Sequence, residues 1–253
     1  LKGKNKMNYL IPLSEFGTYL VISILVGHIL LQFIPDVSKP KSNVSKKLLL
    51  LCVLGLIIFT FIRLLQIVFV FKSTSVFFDI ISNTNSGRAW LMVLFLSVLL
   101  WVTIYVNGSR VFRSQLMLLI IFAVGNGSHA ASISPISGSL AHSVHLLTTS
   151  LWAGVLLVTG WFSRTPKNWG RFLSWFSPTA SACFLIAAAT GFVLMTSMAG
   201  DRGYVDSWGV SYGRMLLIKH ICIIPVLAFA FINGFLSRRA LKDPAYNPYK
   251  WIR

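Results

Sequence analysis

The chain has 253 residues, of which 55% are hydrophobic and only 11% charged, yet 23 Lys and Arg face 6 Asp and Glu for a net charge of +17. A nucleic-acid-binding domain of this charge would be far richer in charged residues, and a soluble domain of this size cannot hide so much apolar surface. The 19 Phe and 8 Trp exclude a disordered basic tail, which leaves an integral membrane protein, surrounded by lipid and not by nucleic acid, with its positive charge gathered in loops.

In chain order, a basic segment, Leu1–Leu10, comes first. It carries Lys2, Lys4 and Lys6 and runs directly into a full-length apolar stretch with no small-residue cleavage pattern. A bilayer core of roughly 30 Å needs about 20 apolar residues per helix. Seven stretches approach that length: Ile11–Ile34, Leu48–Phe71, Ala89–Val106, Gln115–Ala131, Leu140–Phe162, Trp175–Ala199 and Met215–Leu236. None alternates with period two over a strand's length, so the pattern favours helices over a transmembrane barrel. The fourth is the weakest, because Gly125, Asn126, Gly127 and Ser128 near its end favour unwinding. Such unwinding is tolerated only where backbone lines a cavity or packs on protein. Residues 237–253 form a basic tail. The expected fold class is an all-α, polytopic transmembrane helical bundle of about seven spans, the membrane domain occupying 11–236.

Seven spans put the two ends of the chain on opposite sides. One side holds Lys39, Lys41, Lys46, Lys47, Arg110, Arg113, Arg164, Lys167, Arg171, Arg238, Arg239, Lys242, Lys250 and Arg253. The other holds half as many: Lys2, Lys4, Lys6, Lys72, Arg88, Arg202 and Arg214. The positive-inside bias therefore places the N-terminus outside and the C-terminus inside. Trp161, Trp169 and Trp175 then flank inner ends, and Trp90, Tyr204, Trp208 and Tyr212 outer ends, as interfacial aromatic belts do.

Orientation turns the polar residues into a map. The fourth span ends outside near His129, and the fifth starts there with His142 and His145, three apart and so on one helix face. The sixth ends outside with Met195 and Met198, at the same spacing. The seventh starts with Met215, Lys219 and His220. Imidazole and thioether together suit copper, Met favouring Cu(I) and His accepting Cu(I) or Cu(II). A single His at a helix end is ordinarily an interfacial hydrogen bonder, and a Met pair is ordinarily packing; the clustering on one membrane side is the signal. Small residues (Gly154 and Gly160 in span five; Ala187, Ala188, Ala189 and Gly191 in span six) predict close approach of those two helices, bringing His145 towards Met195 and Met198. Charges inside spans are costly and tend to be functional: a Glu15–Arg63 or Glu15–Lys219 pair would neutralise the acid within span one.

The segment Ser128-His129-Ala130-Ala131, then His145-Leu146-Leu147 leading to Trp152-Ala153-Gly154, resembles the core of the CopD copper-resistance and copper-transport family. Thr190-Gly191, and Tyr212-Gly213-Arg214 followed by Leu216, Leu217, Lys219 and Asn233, resemble that family's last two helices. The likeness is best over 126–239; the first three spans match in hydropathy and spacing alone. It departs at Ser128, where the family usually has Gly, and at Ala153, where it often has a second Gly. The whole is similar to fused CopC–CopD copper proteins. The resemblance implies copper import at the bacterial plasma (inner) membrane. It also implies an extracytoplasmic CopC-type copper carrier as partner, separate or fused ahead of Leu1.

The expected mechanism is capture of copper by His129, His142 and His145 at the outer face and ligand exchange to Met195 and Met198, with His220 and Met215 beside them. Low-coordinate sites that bind weakly also release. Deeper soft groups are few: Cys183, Cys222 and His28. No enzyme is expected, since no GxxxxGK[ST] loop, His-Glu-x-x-His or Ser-His-Asp set is present. Two alternatives stand beside import: a haem-binding redox protein with two axial His, and a copper receptor or anchor that does not transport.

Overall fold

The computed structural model describes residues 2–71, 74–163, 168–199, 217–218, 221–232 and 234, excepting the side chains of 2–11, 67–71, 74–75 and 198–199. A chain this apolar satisfies its backbone in lipid by coiling, and helix follows helix: α1 (Lys2–Leu31), α2 (Lys46–Phe71), α3 (Thr74–Asn83), α4 (Asn85–Tyr105), α5 (Arg110–Asn126), α6 (His129–Ile133), α7 (Ser137–Phe162) and α8 (Trp169–Ala199). A shorter apolar helix, α9 (Ile221–Ile232), follows. No strand occurs among the described residues, and the molecule is an all-α helical bundle. Five segments are long and apolar enough to cross a membrane: Pro12–Leu31, Lys46–Gln66, Asn85–Tyr105, Ser137–Phe162 and Trp169–Ser197.

The structure departs from the expected spans in two places. The stretch expected as a fourth span, Gln115–Ala131, is instead α5, 17 residues long and ending at Asn126, then a separate turn, α6. At 1.5 Å per residue α5 is about 25 Å long, short of a membrane core. The break falls where Gly127 closes α5 and the Ser128 hydroxyl accepts from Ala131 N at 3.3 Å to start α6. The stretch between the second and third expected spans, which no expected span covers, holds α3. Of the expected seventh span, Met215, Lys219 and His220 lie outside the described residues, as do all residues of the tail, 237–253.

The connections define two ends of the bundle. At the basic end, α1, α4 and α7 finish and α2, α5 and α8 begin. Here cations cap helix C-termini, where carbonyls lack partners and the dipole is negative. Lys39 Nζ reaches Leu31 O at 2.6 Å, Lys46 Nζ reaches Tyr105 O at 2.6 Å, and Arg110 Nη1 reaches Gln32 O at 3.2 Å. Between α4 and α5, Gly108 N bonds Thr103 O (2.7 Å) and Asn107 N bonds Ile104 O (3.2 Å), with Asn107 at φ 55°. That is a Schellman motif with Asn at the left-handed position, and Arg113 clamps Gly108 O with two donors at 3.1 and 2.6 Å. At the opposite, histidine end, α2 and α8 finish and α7 begins.

Backbones touch where α1 crosses α7. A Cβ on Gly154 would collide with Ser23 O, and one on Gly27 with the Gly154 carbonyl. Gly154 therefore packs against α1, not α8, and Gly160 has no neighbour within 4 Å among the described residues. The reason is periodicity: Gly154 is nine residues from His145, 900° or half a turn away, so the two cannot face the same neighbour. Around this crossing the core buries Ile22, Leu25, Val53, Leu56, Val93, Leu100, Ile120 and Val155. Buried hydroxyls bond back into their own helices: Thr18 to Ser14 O, Thr60 to Leu56 O, Ser97 to Val93 O, Ser143 to Ser139 O and Thr159 to Val155 O, all at 2.6–2.8 Å. Such back-bonding satisfies the hydroxyl without a partner helix. Trp90 and Trp169, expected at the membrane interfaces, are buried, while Trp161 is 72% exposed.

Candidate metal-handling site between two helices

His145 lies on α7 and faces α8. Its Nδ1 is 2.9 Å from the Ala187 carbonyl oxygen and 3.1 Å from Thr190 Oγ1. A carbonyl can only accept, so Nδ1 carries the proton. The Thr190 hydroxyl donates to Ile186 O at 2.7 Å, which turns an oxygen lone pair towards the imidazole. Two acceptors on one face of α8 thus hold the ring through Nδ1, and in that tautomer the nitrogen able to ligate is Nε2. Gly191 makes room: a Cβ there would stand 3.2 Å from His145 Cε1.

The antiparallel register of α7 and α8 places the other soft ligands. One turn further towards the histidine end brings α7 to His142 and α8 to Leu194 and Met195, about 5 Å along each axis. His142 and Met195 are both half-buried. Met198 lies on α8 another turn out; its side chain, and Met215, His220 and Lys219 entirely, fall outside what is described. His129 is the exposed first residue of α6. Among the described residues no three His, Cys, Asp or Glu come close enough to hold a metal ion, so His129, His142 and His145 are not a three-histidine cage. What the structure brings together is one His on α7 with the Thr190-Gly191 step of α8. A His whose other ring nitrogen is bonded to a backbone carbonyl is the ordinary arrangement of a metal-ligating imidazole, so the donor geometry fits a soft cation.

A second polar cluster occupies the histidine end. Arg63 Nη2 is 2.7 Å from Glu15 Oε1, and the guanidinium carbon stands 4.3 Å from the centroid of the Trp90 ring. Tyr19 lies within electrostatic reach of both Arg63 and Glu15. The far edge of Trp90 abuts the α5–α6 break, where a Cβ on Gly127 would stand 3.1 Å from the indole Nε1. Asn126 Oδ1 accepts from Ser139 Oγ at 2.5 Å. The segment carrying His129 is thereby wedged between α4 and the start of α7. Tyr19 was not singled out in the sequence, and Trp90 only as an interfacial aromatic; an aromatic within reach of an in-span Arg was the available signal.

The deeper soft groups do not form a continuous set. Cys52 and Cys183 are buried, Cys222 is exposed, and His28 is bonded at 2.7 Å to Gln32, in the turn that follows its helix.

A protein-family model described as Copper resistance protein D (CopD) matches residues 170–252. That stretch holds Thr190, Gly191, Met195, Met198, Met215 and His220; His129, His142 and His145 precede it. No curated protein and no solved structure matches the chain.

Proposed function

Residues 170–252 match the CopD copper-resistance family model, in a chain with five helices able to cross a membrane, and from that premise we propose that the protein imports copper across the plasma membrane by exchange between His and Met ligands. The single observation that carries this reading is the seating of His145 against Ala187 and Thr190: it joins a soft donor to the family-matched helix, one turn from Met195. Copper is the cargo. It is received at the histidine end from an extracytoplasmic carrier, captured in the α7–α8 seam and released towards the basic end. The asymmetric placement of Lys and Arg supports that orientation. His145 supplies Nε2, and Met195 a thioether that favours Cu(I). His142 lies at the same level to complete a low-coordinate, exchangeable set.

The test is uptake of radiolabelled copper into sealed vesicles carrying the purified chain. Wild-type protein accumulates copper in the lumen, and His145→Ala with Met195→Leu reduces accumulation about tenfold or more, the scale of a lost ligand or its support. Saturable binding without luminal accumulation would make the protein a receptor. Unchanged binding in the double variant would overturn the site.

A further inference from the structure

Thr190 is half-buried on α8, and its hydroxyl already has a donor role towards Ile186 O within its own helix. A Thr on a transmembrane helix needs nothing more to be satisfied. Yet its oxygen stands 3.1 Å from His145 Nδ1, beside the Ala187 carbonyl at 2.9 Å, on the one side of the ring that Gly191 leaves open. Both groups on this side accept the Nδ1 proton. The ring nitrogen they leave with a lone pair is Nε2, on the opposite edge of the imidazole.

We propose that Thr190 is a positioning residue that, with the Ala187 carbonyl, fixes the Nδ1–H tautomer of His145, so that the cation is bound through Nε2 and never through Nδ1. This deepens the copper reading above and rests on it. The physical cost of the alternative is concrete. Ligation through Nδ1 would expel the cation's donor from between two oxygens, leaving the Ala187 carbonyl without the imidazole proton and turning the ring about its Cβ–Cγ bond against Gly191. The same cradle explains a small residue at 191. An Ala there puts a methyl 3.2 Å from Cε1, the carbon flanked by both nitrogens, and tilts the ring away from its acceptors.

The experiment separates this proposal from the reading beneath it. Full-length protein in lipid nanodiscs, with 15N-labelled histidine, is examined without copper; His145 is assigned by its loss in His145→Gln. The expected spectrum shows a protonated Nδ1 and an imine-type Nε2. Cu(I) is then titrated against a chromophoric chelator. Thr190→Val, which keeps the shape and removes the hydroxyl, lowers Cu(I) affinity tenfold to a hundredfold, while Thr190→Ser restores it. Wild-type affinity in Thr190→Val, with affinity lost in His145→Gln, overturns the positioning role and leaves the copper site standing. Wild-type affinity in His145→Gln overturns both. A proton found on Nε2 in the copper-free protein overturns the tautomer assignment directly.

Discussion

Arg63 stacks its guanidinium on Trp90, 4.3 Å from the ring centroid, and at the same time holds Glu15 at 2.7 Å. The two contacts are unequal. Glu15 is about half exposed and Arg63 17% exposed, so the ion pair is the weaker bond and the desolvated cation–π contact the stronger. Arg63→Met is expected to cost about 2 kcal/mol, and Glu15→Gln under ~1 kcal/mol. Thermal unfolding in one detergent orders the two; equal losses would show that the ion pair, not the stacking, carries the cluster.

Trp90 also braces the segment that presents His129. Trp90→Leu keeps an apolar side chain but removes the edge that meets Gly127. Faster hydrogen exchange over 126–134 is expected, with α8 unaffected, and peptide-level exchange measurements read it.

Gly154 and Gly160 sit six residues apart on α7 with opposite consequences. Gly154→Ala forces a methyl onto Ser23 O and should cost about 1–3 kcal/mol, as overpacking does. Gly160→Ala meets nothing within 4 Å and should be neutral or favourable by up to ~1 kcal/mol through helix propensity. The pair of melting temperatures decides it: a Gly154→Ala protein as stable as wild type would refute the close crossing of α1 and α7.

Asn107 occupies the left-handed position of the α4–α5 turn at φ 55°. Asn107→Gly should be tolerated, whereas Asn107→Val should lose about 1–2 kcal/mol, because a β-branched residue resists that conformation. Denaturation midpoints of the two variants test the turn.

The helical architecture was legible in the apolar runs, because period and length in lipid leave few alternatives. Five of the seven expected stretches return as helices fit to cross a membrane. The fourth was visible as a weakness at Gly125–Ser128 but not as a terminus: the Ser128 cap is local, but the wedge made by Trp90 and Ser139 is built from contacts distant in the chain. The face of Gly154 was also within reach: nine positions from His145 is half a turn, and that count rules out a shared neighbour. His145 stood out as a soft ligand beside a helix pair, but its partners did not. A Thr in an apolar helix is ordinarily content with its own backbone, and no spacing announces that a carbonyl four residues from a glycine will accept from an imidazole 42 positions away.

At the basic end, Lys39, Lys46, Arg110 and Arg113 are bound to main-chain carbonyls at helix ends and turns. On the proposed orientation, they belong to the same excess of cations that the positive-inside bias reads. The insertion signal and the fasteners of the finished bundle are thus the same side chains. Neutralising them to reverse the topology would also unpick the joints, while adding Lys and Arg at the far end would challenge orientation alone. Once assembled, the protein is latched by its own address label.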